Sequence, residues 1–531
     1  MKMDLGTRLA FLGGILVLAL FSTVSGNFLF PVQHKFKGRG RSLRTLKDHD
    51  MRRHARTLSS VDVQLGGNSM LTDVGLWVPI FMQIGGAPLS CLLLNLESFG
   101  GLSDNELDAF VGLYFAKLRI GSPPKDYYVQ VDTGSDILWV NCIDCQKCPT
   151  KSHLGIDLTL YDPKSSSTSK LVTCDQEFCI STYDGPLPGC RPELRCKYNV
   201  VYADGSTTTG YFVKDTIHFE KLIGNQQTQS ENGSVIFGCG AKQSGDPGAT
   251  SVALDGIIGF GQANSSMISQ LAVAGKVKKT FAHCLDNVNG GGIFAIGEVV
   301  EPQVNTTPMV PNQAHYNVIM KAIEVGGDVL ELPTDIFDTG DRTGTIVDSG
   351  TTFAYLPDTV YDPLMTKVLA QQPGLKLHTV DDEFTCFEYN DKVDDGFPVI
   401  TLHFDKSLIL TVYPHDYLFQ VRDHVWCIGW QNSGMKSKDV KQVTLLGDMV
   451  LANKLVVYDA ENQVIGWREY NCSSTIKLKD ESGSVYTVGH HNLSSEYKYN
   501  WGLMFYGLKM GNALRIYTMD SYNFDCGSKA L

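Results

Sequence analysis

Twice in this chain a short apolar strand runs into the same small set of residues. Residues 127–131 lead into Asp132, Thr133, Gly134 and Ser135, and much later residues 344–347 lead into Asp348, Ser349, Gly350 and Thr351. A lone Asp-Thr-Gly would be weak evidence, since Asp and Gly populate turns everywhere. Each copy, however, also has a matching partner downstream: Asp255, Gly256, Ile257, Ile258, Gly259, Phe260 after the first, and Thr444, Leu445, Leu446, Gly447, Asp448 after the second. Two apolar residues followed by glycine let a strand pass beside the aspartate loop where a side chain would not fit. A chain built this way reads as an ancestral duplication.

Composition agrees. With 531 residues, 43% hydrophobic, 19% charged and 52 glycines, the chain can bury a real core and resembles neither collagen nor a disordered protein. Its length suits several domains or one large bilobal unit. A formal net charge of -12 argues against nucleic acid as the partner, because phosphate binding needs clustered Lys and Arg. The charge is uneven: residues 1–60 hold eleven Lys/Arg against three Asp/Glu, a balance of +8 that leaves -20 for the acidic body.

On the two aspartate motifs and their glycine-bearing partners, the chain resembles the pepsin-like aspartic proteases, and more narrowly the plant nucellin-like, or atypical, branch. The resemblance covers about residues 112–472. It implies a mainly β, bilobal fold with the active-site cleft between the lobes, and an aspartic endopeptidase with Asp132 and Asp348 as its catalytic pair. Two carboxyls at hydrogen-bonding distance cannot both ionise cheaply, so they share a proton and titrate as a pair, as is general for this protease class. The ionised member acts as general base on a water between them, and the protonated one donates to the carbonyl oxygen. An acidic optimum is expected.

The resemblance also assigns supporting roles. Ser135 and Thr351 are expected to hydrogen-bond the outer carboxylate oxygens, and Thr133 and Ser349 to brace the two loops across the interface, beside Gly134 and Gly350. Tyr202, Ala203, Asp204, Gly205 and Ser206 resemble the flap, a hairpin that closes over bound peptide and excludes water. Val200, Val201, Tyr211 and Phe212 supply its strands. Tyr202 matches the flap tyrosine and Trp139 the tryptophan whose indole N–H reaches it, although both also suit an aromatic core.

Cys142, Cys145 and Cys148, with Cys174, Cys179, Cys190 and Cys196, form a cysteine-rich insert that in a cytosolic protein would raise zinc. Behind a signal peptide disulfides are expected instead. Twelve cysteines lie between residues 112 and 472, an even number whose connectivity sequence does not give; within the second lobe Cys386 is expected to pair with Cys427. Asn232, Asn264, Asn305, Asn471 and Asn492 each begin an Asn-x-Ser/Thr glycosylation sequon. Helices are expected at 265–274 and 358–371, the second capped by Asp358 with Val360, Leu364 and Val368 on its buried face.

The expected organisation is a signal peptide (1–26), a basic propeptide (27–110), an N-terminal lobe (111–310), a C-terminal lobe (311–472) and a tail (473–531). Lys2 and Arg8 before an apolar run ending at Phe21 give the signal peptide. The basic residues between Lys35 and Arg56 are expected to sit over the two aspartates at neutral pH and to release them in acid. An apolar insert at about 69–108, with Cys91, departs from the family and reads as an unspliced intron or gene-model error. Residues 74–96 within it are uncharged and long enough to be scored as a membrane span, but Pro79, Pro88, Gly85 and Gly86 interrupt it. Charged residues at 509–529 prevent a terminal glycolipid-anchor signal, so a membrane link would need residues 74–96 or another isoform. The expected protein is secreted or in the endomembrane lumen and monomeric. It acts on a peptide or protein substrate and needs no cofactor or metal. The competing readings are a catalytically inert pepsin-fold binding or inhibitor protein, and a receptor-like protein tethered by residues 74–96.

Overall fold

One sheet runs through both halves of the chain. The computed structural model describes residues 28–34, 114–152, 156–201, 207–225, 227–244, 253–287, 291–333, 336–337, 343–380, 384–433, 442–480 and 482–489. The expected signal peptide, the basic segment 35–56, the insert at 69–108, Tyr202, Gly205, Asn492, Cys526 and most of the tail lie outside them. Among the described residues the shared sheet has 14 strands. At one end Lys454–Asp459 pairs antiparallel with Val464–Glu469 on one side and with Thr280–Leu285 on the other, so strands flanking the two aspartate motifs meet edge to edge. The sheet continues through Gly292–Ile296, Phe28–His34, Tyr114–Ile120, Lys125–Asp132, Gly256–Gly259 and Trp139–Gln146 to the long hairpin of Gln227–Ser244 with Thr207–Gly224, and Lys170–Leu171 lies at its edge.

Local sequence explains these strands. In Tyr114–Ile120 the alternate residues Ala116, Leu118 and Ile120 are buried, and in Lys125–Asp132 Tyr127, Val129 and Val131 are buried, the two-residue period of a strand with one face in the core. In the second half Thr343–Val347 lies inside a five-stranded sheet, between Asn317–Val318 and the central strand Gln442–Leu446, which Ala354–Leu356 joins on its other side. Each half thus carries an aspartate-bearing strand with a parallel glycine-ended neighbour. Val131 faces Ile258 and Asp132 faces Gly259 in one half; Val347 faces Leu446 in the other. The chain is mainly β and bilobal.

Three segments pair across the boundaries expected from sequence. Phe28–His34, counted with the propeptide, is an interior strand between Gly292–Ile296 and Tyr114–Ile120, with Leu29, Phe30 and Val32 buried. Its apolar run stands beside a charge-dense segment, which masks it compositionally. Ile476–Lys479 and Val485–Val488, counted with the tail, form a hairpin that adds to Glu298–Glu301. Thr306–Pro308, counted with the first lobe, pairs with Val464–Glu469 of the second.

Helices are short. Met267–Val273 is capped by Ser266, whose side chain accepts the Ser269 N–H. Asp358–Leu369 buries Val360, Leu364 and Val368 as its spacing predicts, but Asp358 does not cap it. Pro357, extended at φ -58° and ψ 149°, takes the cap position, and Asp358 is the first helical residue, where its charge favours the positive end of the helix dipole. No described helix is long and apolar enough to cross a membrane.

The twelve cysteines of the two halves form six disulfides: Cys142–Cys239, Cys145–Cys148, Cys174–Cys190, Cys179–Cys196, Cys284–Cys472 and Cys386–Cys427. Cys386 and Cys427 lie directly opposite each other on paired strands.

Candidate active site

Each aspartate strand ends in a loop that folds back on its own carboxylate. Gly134 N–H donates to Asp132 Oδ1 at 2.9 Å and the Ser135 hydroxyl donates to Oδ2. In the second half Gly350 N–H donates to Asp348 Oδ1 at 2.7 Å and the Thr351 hydroxyl donates to Oδ2 at 2.7 Å. The two sets are equivalent atom for atom, a backbone N–H from two residues on and a hydroxyl from three residues on. Both aspartates are about 1% exposed, so these donors replace water that burial removes.

The partner strands hold each loop from behind. Phe260 N–H donates to Asp132 O at 2.7 Å and Gly261 N–H to Ser135 O at 2.9 Å, while Asp348 N–H donates to Leu446 O at 3.0 Å and Asp448 N–H to Thr351 O at 2.7 Å. This threading is why the glycines stand where they do. A Cβ on Gly259 would lie 2.3 Å from the Asp136 carbonyl carbon, and one on Gly447 would lie 2.3 Å from Phe353 O. The two loops also touch each other: a Cβ on Gly134 would fall 2.4 Å from the Asp348 carboxyl carbon and 2.4 Å from its Oδ2.

Thr133 and Ser349, expected as a reciprocal brace, are unequal. Ser349 N–H donates to Thr133 Oγ1 at 2.8 Å, whereas the Ser349 hydroxyl is buried without a hydrogen-bond partner among the described residues. Threonine's branched Cβ restricts its χ1, and serine lacks that restraint.

Sequence reasoning missed four residues around these loops. Gln130, 1% exposed, points its amide at Gly350 O across the interface at 3.5 Å. The Tyr458 hydroxyl hydrogen-bonds Thr133, and His283 Nε2 lies 3.1 Å from the same hydroxyl. Burial pushes the His283 imidazole down to about 3 and the Tyr458 phenol well up, so both are neutral. A buried relay therefore runs from Ser349 N–H through Thr133 and Tyr458 to His283. The fourth is Asp136, one residue after Ser135, whose Oδ1 accepts Ala263 N–H at 2.9 Å. The available signal was a polar residue inside an otherwise apolar strand, Gln130 in one and His283 in another.

Where the flap is expected, Lys197–Val201 pairs with Thr207–Gly224, Val201 facing Thr207 and Lys197 facing Tyr211. Its tip, with Tyr202 and Gly205, lies outside the described residues. Trp139 is 8% exposed and packs with Tyr198, Phe212, Cys179 and Cys196 in the cluster beneath the cysteine-rich insert. Its indole N–H has no hydrogen-bond partner among the described residues. Of the sequon asparagines, Asn232, Asn264, Asn305 and Asn471 are exposed.

Comparison with known proteins adds to this geometry. Two family models match, xylanase inhibitor N-terminal over residues 114–298 and xylanase inhibitor C-terminal over residues 315–469. The chain is 50% identical to aspartic proteinase 36 of Arabidopsis thaliana over 489 residues, 92% of this chain and 93% of that one. It is 48% identical to aspartic proteinase 39 of the same plant over 493 residues, 93% of this chain and 94% of that one. Among solved structures, conglutin gamma, a basic 7S globulin from lupine seeds, superposes with a TM-score of 0.54 at 20% identity, covering 69% of this chain and 94% of that one. That likeness is one of fold.

Proposed function

Since the chain belongs to the plant pepsin-like aspartic protease family, we propose that it is a secreted aspartic endopeptidase in which Asp132 and Asp348 activate one water molecule. The observation that carries this reading is the equivalence of the two carboxylates, each with one N–H and one hydroxyl donor, on loops that meet at Gly134 and Asp348. Those donors stabilise ionised carboxyl oxygens, and two carboxyls so placed favour a state with one proton between them.

In that state the ionised carboxyl takes a proton from water as its oxygen attacks the scissile carbonyl carbon. The protonated carboxyl donates to the carbonyl oxygen and stabilises the tetrahedral intermediate. Proton transfer to the leaving amine then lets the C–N bond break. Activity is highest at acidic pH, where the singly protonated pair is populated. Tyr202 and Gly205 act in the lid, and Trp139 supports it. Asn232, Asn264, Asn305, Asn471 and Asn492 carry glycans on a secreted surface. The basic segment 35–56 keeps the precursor latent.

The inert reading has one supporting observation, that the matched family models take their name from inhibitors. Acid-stage digestion of a denatured protein mixture separates the two. The endopeptidase gives peptides whose release stops with a pepstatin-type inhibitor and with Asp132→Asn; a binding protein gives none.

A further inference from the structure

A third carboxyl stands at the edge of the site, on the same loop as Asp132. Asp136 is partly exposed, and its carboxyl turns onto residues 260–263, where Oδ1 accepts Ala263 N–H at 2.9 Å. The loop is held there at three points, through Asp132 O, Ser135 O and Asp136 Oδ1, and a Cβ on Gly261 would lie 2.3 Å from that Oδ1. The side chain is therefore fixed rather than free to swing into solvent. The other wall is the segment that joins the lobes. Gln262 Nε2 donates to His315 O at 2.6 Å, and the Tyr316 hydroxyl donates to Phe260 O at 2.7 Å.

We propose that Asp136 is a positioning and tuning residue whose negative charge, fixed on the Asp132 loop by the Ala263 N–H, sets the upper pH limit of the catalytic pair. The proposal rests on the reading that Asp132 and Asp348 hydrolyse peptides in acid. Burial holds the Asp136 carboxyl above its ordinary range; the Ala263 N–H and the His315 side chain oppose that, and Asp132 adds to it. Interaction between two titrating groups is mutual, so an ionised Asp136 also disfavours loss of the last proton from the pair. The groups facing it are few. Asp132 comes from its own loop. The joining segment contributes His315, cationic when protonated, and Tyr316, whose phenol burial keeps neutral. Residues 260–263 are Phe, Gly, Gln and Ala and contribute no charge. Asp348 belongs to the other loop, where its carboxyl lies against Gly134.

The sign follows. An anion beside the pair extends activity upward in pH, and a cation facing that anion restrains the extension. Asp136→Asn is isosteric and keeps an oxygen for Ala263 N–H, so it removes charge while retaining the contact. The test is the pH profile of kcat/KM on a quenched peptide for the protein expressed as the full chain and activated in acid, its Asp136→Asn and His315→Gln variants, and Asp132→Asn as control. The descending limb moves down by about half to one pH unit in Asp136→Asn and up in His315→Gln. An unmoved limb in Asp136→Asn, or a uniform loss at every pH, overturns the proposal while leaving the endopeptidase reading intact. If Asp136→Asn does not fold, His315→Gln decides, and a limb at or below the wild-type position overturns it. A wild type without pepstatin-sensitive cleavage that Asp132→Asn abolishes overturns both.

Discussion

Thr133 Oγ1 accepts the backbone N–H of Ser349 at 2.8 Å, so the loop that carries one aspartate is tied to the loop that carries the other. The two residues are 216 positions apart in the chain, and both are buried. The tie is made once and not reciprocally, because the Ser349 hydroxyl does not return it.

Thr133→Val keeps the shape of the side chain and removes this acceptor. The Ser349 N–H is then left buried and unsatisfied, and Tyr458 loses its link to the loop. Such a group costs about 1–3 kcal/mol, read as a lower denaturant midpoint. Loosened carboxyl alignment lowers kcat by tenfold or more with KM nearly constant, on the order expected for misplacement near a reacting centre. Equal stability and equal kcat would remove Thr133 from the brace.

Stability against pH carries two opposite signatures. His283 is held neutral at about 3, below the ordinary 6.5, so its contribution is complete above pH 6.5 and is lost as pH falls toward 3. Asp255 behaves inversely. Burial raises its carboxyl to about 7, although the N–H groups of Tyr128 and Thr159 at 2.7 and 2.6 Å oppose the rise. Its contribution is complete below its ordinary 3.8 and is lost as pH climbs through 7. The upper bound is about 5 kcal/mol for His283 and about 4 kcal/mol for Asp255. Urea unfolding at a series of pH values should show His283→Gln flattening the acid side of the profile and Asp255→Asn flattening the neutral side. A variant whose profile parallels the wild type would contradict the assignment for that residue.

Removing residues 1–110 tests the strand Phe28–His34. It fills a slot between Gly292–Ile296 and Tyr114–Ile120, with Leu29, Phe30 and Val32 buried. Burying an aliphatic or aromatic side chain contributes about 1.5–3 kcal/mol, so losing three exceeds what a marginally stable fold tolerates. A chain starting at Val111 should be insoluble or lack cooperative unfolding, and a separately supplied peptide of residues 27–35 should restore it. A soluble, cooperatively folded truncation would show that the slot is dispensable.

What the sequence revealed depended on how far apart the interacting groups lie. The carboxylate donors at Gly134, Ser135, Gly350 and Thr351 sit two and three residues from their aspartates, so spacing alone displays them. The passage of 256–259 and of 442–446, each beside its own aspartate loop, was legible because glycine had to replace a side chain, while the parallel direction of both pairings came only from the structure. Tyr458, His283 and Gln130 reach the loops from strands distant in sequence, and nothing local announces where an inward polar side chain will end. Phe28–His34 was hidden for a related reason, since a seven-residue strand takes its meaning from neighbours 80 or more positions away. The helix at Asp358–Leu369 shows the smallest error: its buried face followed from spacing, while the cap fell to Pro357, whose fixed φ suits entry to a helix.

The Cys284–Cys472 disulfide makes the last prediction. It joins Thr280–Leu285, a strand between the two aspartate motifs, to the turn after Val464–Glu469, closing a loop of 188 positions that contains the whole second aspartate unit. Cross-linking a loop of that length limits the unfolded chain by about 4–5 kcal/mol in the chain-entropy picture. Cys386–Cys427 closes only 41 positions within one half and limits it less. Replacing Cys284 and Cys472 together by Ala should therefore lower the unfolding midpoint more than replacing Cys386 and Cys427. Because Thr280–Leu285 and Lys454–Asp459 bring His283 and Tyr458 together beneath Thr133, the first variant should also lose kcat before it unfolds. Equal destabilisation by the two pairs, with kcat unchanged in both, would mean the strand pairing alone holds the halves in register.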